Sequence, residues 1–468
     1  MSPDSGGNSF DFDVAVIGSG PGGFDAAVNA ARSGLRTCIV EKDAIGGVCV
    51  NWGCIPTKAL LRSAEIFRLA GEAEPFGLRI DGSSVDVAQA VKRSRRVVLT
   101  VSKGVEYLLK RSNVTMKRGE ASFADAHTLE IIRDGNVKET VTAENIIIAA
   151  GGYARELPGM TFDGKTIVSS REALTMQTAP GKMLIIGGGA IGVEMAWYYS
   201  AAGSDVILVE LMPQILPQED IEVGEGLKRS LVKAGIEIIN EAVVKKAEAT
   251  EKGMLAVVGM PDGGERTVEA DCMLVAVGVA PNTAGLTLEK AGVATEKGFI
   301  ATDEFCRTNV GNIFAIGDVR GGVLLAHKAS AEAGVAVKTI TGKKSKPVDE
   351  TRVPRCVYVE PSVACVGYTE KQAVENGYTV KVGRSSFAAS GKANAYGVRE
   401  GFVKMVFDAG TGELLGGHVL GHGAVELIGE LALARSLGTT AEQIAETVHA
   451  HPTLSESIRE AAENALEQ

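Results

Sequence analysis

One repeated spacing constrains this chain more than any other feature. Twice, an apolar strand runs into a glycine-rich turn, a small-residue helix and a second strand that ends in glutamate. The first copy comprises a strand at 11–17, GSGPGG at 18–23, a helix to about Ser33 and a strand at 36–40 followed by Glu41. The second comprises a strand at 183–186, GGGAIG at 187–192, a helix to about Ala202 and a strand at 205–209 followed by Glu210. In both copies the acid stands 23 residues after the first glycine, at 18 and 41 and again at 187 and 210. An internal repeat of this kind predicts two βαβ dinucleotide units. Gly18 and Gly187 would make the strand-to-helix turn, and Gly20 and Gly189 would let a pyrophosphate reach the backbone. Gly23 and Gly192 would let helix and strand pack closely. The helix N-termini would supply N–H donors to the phosphates. Glu41 and Glu210 are placed to accept hydrogen bonds from ribose hydroxyls. No arginine follows Glu210 to receive a 2′-phosphate, so the second site is expected to prefer NAD to NADP.

Composition narrows the remaining classes. A chain of 468 residues has room for about three domains. The formal charge is −10 and no basic stripe is visible, which argues against nucleic acid. No apolar stretch approaches the roughly 20 residues needed to cross a bilayer. Residues 1–10 read as a disordered lead-in, without the basic start and apolar run of a secretory signal. A cytoplasmic protein is expected, with an organelle matrix after processing as the alternative. The fold expected is α/β: two Rossmann-like dinucleotide-binding domains plus a C-terminal α+β domain. The boundaries are 11–152 and 280–348 for the first dinucleotide domain in two parts, 153–279 for the second, and 349–468 for the last. Residues of about 56–112 read as one helical region.

Seven cysteines lie at 38, 49, 54, 272, 306, 356 and 365, and only 49 and 54 are close in sequence. They sit in GGVCVNWGCIPTK at 46–58. C-x4-C is not the usual metal spacing, and no metal is expected. Pro56 suits the first turn of a helix. Cys54 would then stand at that helix's N-terminus, where the dipole lowers a thiol pKa. NIFAIGD at 312–318 is a strand ending in Gly317-Asp318, and LAHKA at 325–329 opens a helix. An aspartate there is able to bond a cofactor hydroxyl. HAHPTLSE at 449–456 places Glu456 five residues after His451, a spacing that holds an imidazole in one tautomer as a base. His418 and His422 read as core or turn residues.

Together these motifs resemble the pyridine nucleotide–disulfide oxidoreductase family, from about Phe12 to Ala465, and HPTLSE is the form of its lipoamide-type branch. The resemblance implies FAD at Gly18, Gly20, Gly23, Glu41, Lys58, Asp318 and Ala326. It implies NAD at Gly187, Gly189, Gly192, Glu194, Glu210 and Gly278, with Glu194 also a partner for Lys58. Cys49 would exchange with substrate, Cys54 would face the flavin, and His451, oriented by Glu456, would be the base. A homodimer is implied, with the histidine supplied by the other subunit. The implied reaction is oxidation of protein-bound dihydrolipoamide by NAD⁺. The partners would be lipoyl-bearing proteins: the E2 component of a 2-oxo acid dehydrogenase complex, glycine cleavage H protein or another lipoate-binding protein. An NAD(P)H-dependent reductase of another small disulfide is the alternative enzyme, and a flavoprotein sensor or scaffold the non-catalytic one. Two departures from the family pattern are Trp52 and the turn Gly151-Gly152-Tyr153.

Overall fold

The computed structural model describes residues 10–467, so most of the 1–10 lead-in lies outside the described residues. Two compact units emerge. One holds residues up to Pro56, Ser94–Tyr153 and Val279–Glu350; the other holds Thr57–Arg93, Ala154–Gly278 and Thr351 onward.

In the first unit, strand Phe12–Ile17 lies between Thr37–Glu41 and Asn136–Ile148, parallel to both. Thr115–Arg118 extends the parallel sheet on one side and Ile313–Ala315 on the other. The central segments are near-continuous runs of Val, Ile and Ala because both faces of a parallel sheet are covered. Val14, Ile39, Ile146 and Ile147 are fully buried. Helices Pro21–Arg32 and Ala326–Ile340 pack at close range. A β-carbon on Gly22 would come within 3.0 Å of the Ala329 β-carbon.

The second unit repeats the plan. Lys182–Ile186 lies between Asp205–Val209 and Cys272–Val275, again parallel to both. Beside it is a three-stranded antiparallel sheet of Val243–Thr250, Gly253–Gly259 and Glu265–Ala270, which the sequence reading did not resolve. The C-terminal part is a five-stranded antiparallel sheet. Its order is Arg355–Val357, Ser362–Gly367, Leu414–Gly421, Gly401–Asp408 and Val380–Ser386. Helices Ala424–Leu437 and Glu456–Leu466 pack on it. The α/β class with a C-terminal α+β domain is therefore present. The expected single helical region is two helices, Cys54–Gly71 and Val87–Arg111. Pro75 and the left-handed Gly77 and Gly82 interrupt it.

An ionic cluster ties the loop before helix Ile221–Lys233 to the C-terminal sheet. The Lys404 ammonium, almost fully buried, touches Asp220 at 2.9 Å, Glu222 at 2.7 Å and Glu370 at 2.9 Å. Arg384 adds a 2.6 Å contact to Glu222. Arg384 first, and then Lys404, pull the Glu222 carboxyl down from 4.5 to about 2. A depressed folded-state pKa stabilises the fold above the ordinary value, and that contribution disappears as pH falls from about 4.5 through about 2. Glu222 is 37% exposed, so solvent screening reduces the effect. Glu222→Gln is expected to cost about 1–2 kcal/mol at neutral pH, a cost that shrinks as pH falls through about 2 and is gone only below it. Urea-unfolding midpoints across this range test the prediction, and a pH-independent difference contradicts it.

Candidate active site

The two glycine turns have the geometry the repeat predicts. Gly18 and Gly187 adopt φ of 95° and 103°, which a residue with a β-carbon rarely adopts. A β-carbon on Gly23 would come within 2.0 Å of the Gly18 carbonyl oxygen, and one on Gly192 within 1.9 Å of the Gly187 oxygen. Gly20 and Gly189, by contrast, have open space on that side. Each is a helix N-cap without a side-chain cap, so first-turn N–H groups are left for an incoming acceptor. These are two cradles shaped for dinucleotide phosphates, and the residues fit FAD and NAD.

The acids also have structural work that the spacing did not reveal. Buried Glu41 accepts hydrogen bonds from the Ser19 backbone N–H at 2.8 Å, the Ser19 hydroxyl at 2.6 Å and the Asp43 N–H at 2.7 Å. Buried Glu210 accepts from Gly188 N–H at 2.5 Å and Met212 N–H at 2.8 Å. Each carboxylate pins its own glycine turn and has lone pairs to spare. Gly278 lies after strand Cys272–Val275 with φ 113°, and its carbonyl accepts from Arg155 N–H.

The cysteine motif sits directly on the first turn. Cys49 belongs to the short helix Gly47–Trp52, and Cys54 is the first residue of helix Cys54–Gly71; both are half-buried. A β-carbon on Gly47 would lie 2.6 Å from the Gly20 α-carbon, so the helix bearing Cys49 packs against the phosphate turn. Ser19 Oγ also accepts from the Gly46 N–H at 3.1 Å. The buried Asn51 amide donates to the carbonyls of Ile45 and Gly47 at 3.0 and 2.9 Å. Trp52 donates to Asp43 at 3.3 Å and lies under the Arg95 guanidinium, 5.2 Å from the ring centre. In the second departure, Gly151-Gly152-Tyr153, the middle glycine has a steric cause. A β-carbon on Gly152 would collide with Val279 and Ala280, the strand it pairs with.

The Gly317-Asp318 turn is held by a residue the sequence reading missed. Glu332 is fully buried and accepts from Gly317 N–H at 2.7 Å. Arg320 at 2.5 Å and Lys328 at 3.0 Å neutralise it. Burial raises the Asp318 carboxyl pKa, with Lys328 opposing that shift. Ala326 opens the helix that follows, and its N-cap Leu325 offers no side-chain cap.

In the second unit, the Lys58 ammonium contacts both Glu194 oxygens at 3.0 and 2.9 Å and lies 4.2 Å from the Tyr358 ring centre. Tyr358 N–H donates to Glu194 as well, at 3.0 Å. His451 Nδ1 is 2.9 Å from Glu456, whose other oxygen accepts from Thr453 N–H at 2.9 Å. That backbone bond first, and His451 second, lower the Glu456 pKa. The His451 side chain is 79% exposed while its Nδ1 is held by Glu456. His451 and the cysteine pair belong to different compact units. His418 is a core residue, and His422 lies 3.4 Å from Glu360.

The cradles predict a selective pair of defects. Gly23→Ala is expected to yield protein without bound flavin. Gly192→Ala is expected to keep the flavin spectrum and raise the KM for NAD⁺ at least about tenfold, since a collision this close displaces backbone. Absorbance of the purified proteins and steady-state kinetics separate the two. Equal flavin loss in both contradicts the division of labour.

Residues 12–333 match the pyridine nucleotide-disulphide oxidoreductase family, and 353–462 match its dimerisation domain. A dihydrolipoyl dehydrogenase from Chlorobaculum tepidum is 58% identical over 97% of both chains. One from Rhizobium etli is 44% identical over 96% of this chain and 97% of the relative. The solved structure of LpdA from Mycobacterium tuberculosis superposes with a TM-score of 0.90 at 27% identity, covering 96% of this chain and 99% of that one. Among the described residues no helix is long and apolar enough to cross a membrane. The chain belongs to the pyridine nucleotide–disulphide oxidoreductase family, as an FAD- and NAD-dependent oxidoreductase on its dihydrolipoyl dehydrogenase branch.

Proposed function

We propose that this enzyme oxidises the dihydrolipoamide of a lipoyl-bearing protein, through a Cys49–Cys54 disulfide, as a cytoplasmic homodimer. The observation that carries the residue assignment is the seating of the cysteine helices on the first dinucleotide turn, with Gly47 against Gly20. This seating supports a redox role for the motif beside a flavin held at that turn. His451, tethered through Nδ1 to Glu456, accepts a proton from a substrate thiol at Nε2. The substrate thiolate attacks Cys49 Sγ, the Cys49–Cys54 bond breaks, and Cys54 leaves as thiolate. The second substrate thiolate then attacks the mixed disulfide, closing the lipoyl ring and releasing Cys49. The helix start at Cys54 stabilises its thiolate. FAD held at the first glycine turn would supply the two-electron redox chemistry, and NAD⁺, as the second substrate, would carry the electrons away. Lys58, ion-paired with Glu194 and backed by the Tyr358 ring, stands one helical turn beyond Cys54.

The exposed His451 is supplied to the cysteine pair of a second chain, consistent with the matched dimerisation domain. The test is an NAD⁺-linked dihydrolipoamide assay, with NADP⁺ as alternative acceptor and glutathione disulfide with NADH as alternative substrate. Rapid turnover is expected with dihydrolipoamide and NAD⁺ alone. Faster reduction of glutathione disulfide than turnover of lipoamide overturns the assignment.

A further inference from the structure

The C-terminal sheet carries an unusual row of side chains across its strands. Arg355 pairs with Cys365, Cys365 with His418, His418 with Lys404, and Lys404 with Arg384. Directly opposed residues share a face, so these five form one line across the sheet. Carboxylates stand against it. Glu219 grips Arg355 at 2.8 and 2.9 Å; Asp220, Glu222 and Glu370 surround Lys404; Glu222 and Glu370 also reach Arg384. Three cations therefore face four acids. The second and third positions, Cys365 and His418, bring no compensating charge.

Those positions are fully buried. His418 Nε2 lies 3.0 Å from the Tyr368 carbonyl oxygen. A carbonyl only accepts, so Nε2 carries the ring proton and Nδ1 presents a lone pair. That Nδ1 has no hydrogen-bond partner, a costly condition for a buried polar atom. Ligand atoms of Glu219, Cys365 and His418 lie within 4.8 Å of one another, the one such convergence among the described residues. We propose that Glu219, Cys365 and His418 form a structural site for a divalent transition-metal ion, zinc by its donor set, which joins the loop before helix Ile221–Lys233 to the C-terminal sheet.

Three features support a metal ion over a proton at this point. Imidazole, thiolate and carboxylate are the nitrogen, sulfur and oxygen donors zinc takes. A metal-bound histidine characteristically donates its other N–H to a backbone carbonyl, as His418 does to Tyr368, and Arg355 anchors the Glu219 carboxylate in the same supporting way. On binding, the Cys365 thiol releases its proton to solvent as the metal–sulfur bond forms. The dication less the thiolate then supplies the single positive charge the row lacks. Four-coordinate zinc spaces its ligands about 3.3–3.8 Å apart, so closure needs side-chain movements of about 1 Å.

Because the cluster is buried, the test supplies zinc or cobalt during expression. Holoenzyme is then gel-filtered in chelator, and its metal content is measured. About one zinc per chain is expected in wild type and in the Cys49→Ser/Cys54→Ser double variant. Cys365→Ser and His418→Gln are expected to retain at least about tenfold less. Cobalt protein should show a thiolate-to-metal charge-transfer band that the redox-cysteine variant keeps and Cys365→Ser loses. If Cys365→Ser does not fold, Glu219→Gln serves, with the same loss of retained metal expected. Metal-free wild type, or metal and charge-transfer band that disappear with Cys49 and Cys54, overturns the proposal.

Discussion

Replacing Cys54 by serine is expected to lower NAD⁺-linked dihydrolipoamide oxidation at least about 10³-fold while leaving the flavin bound. Serine cannot form the disulfide that accepts the substrate's electrons. The first substrate thiolate then has no S–S bond to attack, and Cys49 has no internal partner. Nor can another cysteine substitute. Cys365 is fully buried, and burial pushes the thiols of Cys38, Cys272 and Cys306 up to about 12 and that of Cys356 to about 11. Such thiols supply almost no thiolate at neutral pH. Electron transfer from NADH to an artificial dye needs the flavin but no disulfide, so that activity should survive. The pair of assays separates lost exchange chemistry from a damaged cofactor site. Lipoamide turnover within tenfold of wild type, or loss of the dye reaction along with it, rejects the assigned role.

The dinucleotide cradles were legible because their demands are local. A left-handed Gly18, or a helix whose Gly23 touches the Gly18 carbonyl, tolerates no side chain, and that intolerance appears as glycine at fixed spacing. The acids at 41 and 210 were legible by position, but their bonds to Ser19 and Gly188 were not. Those bonds depend on how the strand end curls over the turn. Glu332 was hidden for a stronger reason. It reaches Gly317 from a helix that begins nine residues downstream, at Ala326, and only tertiary packing sets that approach. The antiparallel strand Val243–Thr250 reads VVKKAEAT, too polar to signal a core strand, since most of its side chains face solvent. The row from Arg355 to Arg384 depends on strand register, which no single segment encodes. Proline and glycine at 75, 77 and 82 did signal the break between the two helices, yet amphipathic segments on both sides obscured it.

The assignment of His451 leads to the second large effect. His451→Gln is expected to reduce kcat/KM for dihydrolipoamide by about 10²–10⁴-fold, the usual contribution of a positioned base. Glutamine takes up no proton from the substrate thiol, so attack on Cys49 must wait for the small thiolate fraction present in solution. Glu456→Gln should give a smaller loss, because the amide keeps an oxygen to orient Nδ1. Dye reduction by NADH should be unchanged in both. The exposed His451 also makes a prediction about subunits. In dimers mixed from His451→Gln and Cys54→Ser chains, one site would join intact cysteines to an intact histidine, and the other would have neither. Both parent proteins should be nearly inactive. Random remixing should restore about a quarter of wild-type activity, because half the dimers are mixed and each has one working site. A histidine acting on the cysteines of its own chain would leave every site broken, so absence of any recovery after verified subunit exchange would exclude sharing between subunits.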